Sequence, residues 1–187
     1  AFADWTVTGS LETDVALRMN LGDKSVVPQV DVATRWRDVD LLVMPGNFAV
    51  EAVNGEFAYS SSRGFSSTAL TGKLWGETVS ATIEQSKRAP GESLDPATSV
   101  VDVKLASKVD MADVRDWLQL ELLAFVSGRT AAEVDIRLEP GVPPVITVSS
   151  ELQGVSINLP QPWKKSTDEA QHLHLEMPLT RGGMPLS

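Results

Sequence analysis

The 187-residue chain has two histidines and no cysteine, so few of its side chains can do chemistry. His172 and His174 are two residues apart, and Glu176 follows at the same spacing. On a β-strand this spacing puts all three on one face, where His-x-His-x-Glu can hold a divalent cation. Leu173, Leu175 and Met177 alternate with them. The polar outer face of a half-buried strand is therefore the simpler account, and no third ligand motif occurs elsewhere. A Ser-His-Asp triad would need one of these two histidines, and no Gly-x-Ser-x-Gly elbow supplies its nucleophile. Ser107-Lys108 and Lys165-Ser166 are adjacent pairs. Neighbours on a strand point to opposite faces, so neither pair forms a Ser-Lys dyad. Without cysteine there is no thiolate nucleophile, disulfide or Cys-bound metal. Phosphate loops and dinucleotide fingerprints are absent, and the carboxylates are spread without a pair suited to acid–base work. Trp5, Trp36, Trp75, Trp117 and Trp163 could line a ligand site, although tryptophan more often fills a core or its rim. These residues predict no catalytic site, no metal and no cofactor, and hence a protein that is not an enzyme.

The elements that would carry such residues are mostly strands. Val15, Leu17, Met19 and Leu21 alternate with polar or small residues, as do Val30 and Val32. The same period of two recurs in Val101, Val103 and Leu105, in Val134, Ile136 and Leu138, and in Leu173, Leu175 and Met177. Ile146, Val148 and Leu152 share a face with Ser150 between them, and Val155, Ile157 and Leu159 follow. Each run predicts a strand with one apolar and one wet face, which belongs to antiparallel sheets. Gly22-Asp23, Pro45-Gly46-Asn47, Ser60 to Gly64, Pro90-Gly91, Pro140-Gly141 and Pro160-Gln161-Pro162 punctuate the runs. Asn54-Gly55 is either a hairpin turn or a bulge within a strand, and Gly76 predicts a bend or bulge. Residues 86–99 form the best loop candidate.

One helix is predicted over about 111–127, with Asp110 as N-cap, Asp113 in the first turn and Gly128 at C′. Val114, Trp117, Leu118, Leu122 and Phe125 make its apolar stripe, and Leu120, Leu123 and Val126 widen it. That stripe either packs on a sheet or acts as a lid over it. The whole is about ten or eleven strands and one helix in a single segment, 1–187. Such a sheet would run about 50 Å if flat, and open sheets of that width curl. The predicted fold is therefore mainly β: a curled antiparallel sheet, lined inside with aliphatic side chains, with one short α-helix.

Charge narrows the partners. Lys plus Arg number 16 against 25 Asp plus Glu, a net charge of −9. Nucleic acid needs a basic face, so it is not a partner. The same balance opposes docking on an anionic membrane through this segment. No apolar run reaches the length of a membrane-spanning helix. The chain opens on Ala-Phe-Ala-Asp-Trp, within a strand pattern and without a signal peptide, so a piece of a longer protein is expected.

Three stretches are similar to the AsmA-like family of the YhdP type. Val50-Glu-Ala-Val-Asn-Gly-Glu-Phe-Ala-Tyr59 followed by Arg63-Gly-Phe-Ser-Ser-Thr-Ala-Leu-Thr-Gly-Lys-Leu-Trp-Gly76 resembles a hairpin of these proteins. Asp116 to Thr130 resembles the short helix before their "S-G-x-T" strand. Leu152-Gln-Gly-Val-Ser-Ile-Asn-Leu-Pro-Gln-Pro-Trp-Lys-Lys165 resembles their "L-x-G-L-x-x-x-L-P-x-P-x-x-K" signature and is the most specific of the three. Trp163 and Lys164 are bulkier than the residues the pattern carries there, and residues 1–49 match only in strand character. The resemblance transfers no catalytic residue.

The resemblance implies a β-taco section, its sheet bent into a U-shaped groove, of a long periplasmic protein, anchored in the inner membrane, that moves phospholipid towards the outer membrane. Its partners would be phospholipid acyl chains and neighbouring β-segments of the same longer chain. Membrane contact would come only through other parts of that protein. Two acyl chains hold about 30 methylenes, each worth roughly 0.8 kcal/mol on leaving water, so passage needs a continuous apolar lining. The expected lining is Val15, Leu17, Met19, Val30, Val32, Val101, Val103, Leu105, Val134, Ile136, Leu138, Ile146, Val148 and Leu152. The alternative is a structural or interaction module in the periplasm, with a closed core and partners added at its sheet edges.

Overall fold

The computed structural model describes residues 6–19, 28–43, 48–86 and 99–178. Alternating apolar and polar residues give eleven strands: β1 (Thr6–Arg18), β2 (Gln29–Val43), β3 (Phe48–Ser60), β4 (Gly64–Ser67), β5 (Leu70–Leu74), β6 (Glu77–Ser86), β7 (Val100–Asp110), β8 (Val126–Leu138), β9 (Val145–Ser150), β10 (Val155–Ile157) and β11 (Leu173–Pro178). The helix α1 (Met111–Leu118) and a 3-10 turn, Glu121–Phe125, join β7 to β8. All strands belong to one antiparallel sheet in the order β1-β2-β3-β4-β6-β7-β8-β9-β11. In addition β5 bridges β3 and β6, and β10 pairs with β8. Among the described residues β1 and β11 end this path and do not pair with each other, so the sheet is curled and open rather than a closed barrel.

Register turns the alternation into rows that cross the strands. Val15 lies opposite Val32, Val32 opposite Tyr59, and Tyr59 opposite Phe65. A second row runs Ile83–Val103–Ile136–Ile146–Met177, and a third Leu105–Val134–Val148–Leu175. The other face is charged. Arg35 meets Glu56 at 2.7 Å and Glu12 at 3.8 Å across β3 and β1. These pairs are exposed, so they define the wet face more than they stabilise it.

Two bulges keep the apolar face continuous. The β2–β3 register shifts around Val39, and Asp38 and Ala52 take positive φ values of 48° and 49°. Side chains accept from the displaced amides: Asp38 N–H donates to Asn54 Oδ1 (3.2 Å) and Ala52 N–H to Asp40 Oδ1 (2.9 Å). Each extra residue lets side chains three apart share a face, Trp36 with Val39 and Val50 with Val53. These valines gather with Val79 into the main core cluster, and Trp36, Leu41, Leu74 and Leu105 close over it. The cluster lies across Gly72. A Cβ there would sit 3.1 Å from both Glu51 O and Val50 Cγ1, a tight contact that glycine avoids. Farther along the same line Ser107, Ala132 and Ser150 are also small, and the last two are buried.

Several local expectations change. The helix ends at Leu118 instead of 127, because Gln119 turns left-handed (φ 55°) and its N–H bonds Arg115 O. The chain then restarts as the 3-10 turn, and Val126 already belongs to β8. Gly128 is thus a strand residue, not a helix C′. It crosses Gly154 so closely that a Cβ on either would overlap a backbone carbonyl. Asn54-Gly55 lies inside β3, at the bulge. Trp75 and Gly76, with φ of 51° and 79°, form a two-residue hairpin rather than a bend, since positive φ at both positions suits the twist of a tight hairpin. Strand β9 stops at Ser150, and Leu152 sits beyond it with φ 48°. Gly22-Asp23, Pro45-Gly46-Asn47 and residues 87–98 of the loop candidate lie outside the described residues.

The burial contrast gives a direct test. Val39 is 0% exposed and Val15 is 67% exposed, each within an apolar row. Val39→Ala should cost about 2 kcal/mol in denaturant unfolding, from two lost methyl groups plus a cavity. Val15→Ala should change stability by less than about 0.5 kcal/mol.

Candidate functional site

The feature that stands apart from an ordinary packed domain is the apolar face itself. In β1 every residue is exposed, including Leu11 (51%), Val15 and Leu17 (57%). Met19, just past the strand, is exposed as well. Val30, Val32, Val101, Val103, Leu105, Val134, Leu138 and Val148 are half-buried, while Ile136 and Ile146 are buried. The register therefore brings these expected lining residues to one face. Leu152 is different: beyond the end of β9, its carbonyl serves a lysine. An aromatic patch also belongs to the face, and the alternation of aliphatics alone did not mark it. Phe57 and Phe65 stack at 5.4 Å, Tyr59 lies 4.8 Å from Phe65, and Trp36 lies 6.3 Å from Phe57. Phe57 and Tyr59, two apart on β3, were the signal that could have found it.

The helix stands at the strand ends. Asp110 accepts from Ala112 N–H at 2.9 Å as N-cap, and Asp113 occupies the first turn. Trp117 packs on Trp75 of the β5–β6 hairpin at 5.7 Å. Val114 and Leu118 are half-buried, whereas Leu122 (65%) and Phe125 project into solvent from the 3-10 turn. The expected stripe is thus divided between two elements. Asp110 also binds Arg129 (2.9 Å), which reaches Glu77 (3.2 Å), so one guanidinium joins the ends of β6, β7 and β8. The Ala112 amide, followed by Arg129, holds the Asp110 carboxyl below its usual range.

The stretch that carries the most specific sequence resemblance is locked by a lysine. Lys165 is 4% exposed, and its ammonium donates to the carbonyls of Leu152 (2.8 Å), Val155 (2.7 Å) and Ser166 (3.0 Å). Its backbone pairs with Ile157, and Asn158 N–H reaches Phe125 O, which fastens this loop to the 3-10 turn. Val155, fully buried, faces Gly128. The buried ammonium is satisfied by these three carbonyls, one of which, Leu152 O, also accepts from Val155 N–H at 3.2 Å.

The histidines do not converge. His172 Nδ1 meets Glu151 Oε1 at 3.1 Å, and His174 Nδ1 meets Ser149 Oγ at 3.3 Å. The rings stand nearly parallel with centroids 6.5 Å apart. The two imidazoles thus serve different partners rather than one ion. Among the described residues no three His, Asp or Glu gather to hold a metal. Two shallow depressions lie on the charged face, one beside Lys104, Glu133 and Asp135 and one beside Glu12, Arg35 and Glu56.

The geometry is an open sheet with an exposed apolar face, and the model of one family, described as YhdP protein, matches residues 1–186. The chain belongs to the YhdP family. No curated protein and no solved structure matches it. Among the described residues of this YhdP-family chain, no helix is long and apolar enough to cross a membrane.

Two outcomes are expected here. Asp110 has a depressed carboxyl in the fold, so its contribution is complete above the unfolded carboxylate range and fades as pH falls through the folded value. Asp110→Asn should flatten the acid limb of a stability–pH profile, measured by urea unfolding. Lys165→Met should lower stability by about 3 kcal/mol, because several carbonyls lose their donor at once, while Lys165→Arg should recover part of it.

Proposed function

We propose that this chain is a non-enzymatic section of a hydrophobic trough that conducts phospholipid between the inner and outer membranes of a Gram-negative envelope. It works in the periplasm as part of a longer chain anchored in the inner membrane, with neighbouring β-segments continuing its sheet. The observation that carries this reading is the exposed apolar face of β1, which continues onto the half-buried β2 and across the strands in rows of Val, Ile, Leu and aromatic side chains. Hydrocarbon moving along such rows exchanges one apolar neighbour for another, and nothing in the transfer calls for a nucleophile, metal or nucleotide. Headgroups stay in water at the open side. Family membership supports the reading, because the chain matches the family model over almost its whole length.

A second reading rests on the edge of β1. Among the described residues this strand pairs with β2 alone, which leaves its other edge as a template for strand addition by a partner protein. The two readings separate on lipid content. The periplasmic part of the longer protein, cleaved from its membrane anchor and purified without detergent, should yield phospholipid on solvent extraction. Val15→Asp with Leu17→Asp, both on exposed positions, should remove that lipid and leave the circular dichroism spectrum unchanged. Lipid-free wild-type protein, or a variant that keeps its lipid, would exclude the trough.

A further inference from the structure

The line of low bulk through Val39, Val53, Gly72 and Val79 is a crease, and it runs out to the border of the sheet at β1. Between Thr8 and Ser10 one residue of β1, Gly9, faces two of β2, Asp38 and Val39. Gly9 has φ 129°, and a Cβ there would sit 2.7 Å from Asp38 O and 2.8 Å from Val39 Cα, so β1 carries no side chain where it crosses the crease. The strands next to it cross by one of two devices. Strands β2 and β3 each spend an extra residue, Asp38 and Ala52. Strands β5, β6 and β7 place a small side chain on the line: Gly72, Val79 and Ser107.

The border itself is built to be paired. All 13 residues of β1 are exposed, and among the described residues the strand pairs with β2 alone. It has no lysine and no proline to block its edge, whereas β11 at the opposite border has six residues and ends on Pro178. The outward N–H and C=O groups of such an edge call for another backbone, which hydrocarbon cannot supply. The side chains describe that neighbour. On one face Leu11, Val15 and Leu17 are exposed and ask for aliphatic contacts. On the charged face Glu12 turns inward to Arg35 and Arg37, while Asp14 has no ion-pair partner among the described residues. A basic residue directly across from Asp14 would complete the pair.

We infer that the outer edge of β1 takes up a strand that is itself creased. Opposite Gly9 that strand has either an extra residue or a side chain no larger than valine, with aliphatic residues beside Leu11, Val15 and Leu17 and a basic one beside Asp14. The partner is therefore a further β-segment built on the same crease, and not any extended peptide. A straight strand follows only one arm of β1, Thr6 to Thr8 or Ser10 to Arg18, because the arms part at Gly9. The inference rests on the sheet being continued at β1, which both readings of the function require, and it adds what the continuing strand must be.

Photoreactive diazirine side chains at Thr8 and Asp14 test it in the longer protein in its own membrane. The two positions lie on different arms of β1, both exposed and both on the charged face, away from any cargo on the apolar one. Mass spectrometry of the adducts locates the residues attached. Both probes should attach to one β-segment, and the residue that crosses opposite Gly9, between the two attachment sites, should be an extra residue or one no larger than valine. Tryptophan placed at that crossing residue should lower the Thr8 adduct several-fold and keep the Asp14 adduct, which shows that the longer arm is still paired. Attachment to two separate segments, a bulky residue at the crossing, a tryptophan variant that keeps both adducts, or no protein adduct at either position overturns the inference. Phospholipid content decides the trough separately, so a failure of one is not mistaken for a failure of the other.

Discussion

An antiparallel ladder satisfies the backbone of every strand inside its borders, yet only one face of that ladder is apolar. This imbalance governs the rest of the structure. A second sheet packed face to face would hide the apolar side, as in a sandwich. Here the single sheet bends on itself instead, and burial of roughly 25 cal/mol for each Å² of apolar surface favours the bend. The bend needs a line of low bulk, which Val39, Val53, Gly72 and Val79 provide, with Ser107, Ala132 and Ser150 continuing it. The bulges at Asp38 and Ala52 let β2 and β3 cross that line while keeping their apolar side chains on the same face.

Polar contacts then fix the strand ends, where the ladder gives out. Arg129 gathers Asp110 and Glu77. Lys165 holds three carbonyls of the loop after β9. Neither residue has the surroundings of a catalytic group: Arg129 is exposed between two carboxylates, and the lysine ammonium is enclosed by acceptors. They set where the sheet stops, and so how much apolar face is left to water.

Much of this was legible in the sequence, because a period of two is imposed by backbone geometry and survives any tertiary arrangement. Val101 to Leu105 and Val134 to Leu138 became the central strands β7 and β8 on that basis, and Asp110 capped α1 as its side-chain chemistry requires. The misreadings fell where a local conformation overrides periodicity. Leu118 to Phe125 is apolar enough to extend a helix, but Gln119 turns left-handed and a 3-10 turn follows. Leu152 continues the alternation of Ile146 and Val148 on paper, although a left-handed backbone removes it from β9. Gly76 reads as an interruption until it is paired with Trp75, because tryptophan at positive φ has no compositional signature. Three-apart pairs such as Trp36 and Val39 sharing a face also escape an alternation count, since the bulge that joins them leaves only a polar residue, Asp38, as its trace. The lysine lock was invisible for a different reason: its three acceptors are backbone carbonyls.

The two unpaired borders of the sheet carry a consequence for size. A closed barrel fixes its own strand number, because the first strand must meet the last. Among the described residues, this sheet leaves β1 and β11 each with one side free of a neighbour in the path. More strands could be appended at either border without altering the ones already present, and each would bring its own increment of apolar face. The reach of such an object would then be set by gene length rather than by closure geometry, as a colonnade is lengthened by adding columns.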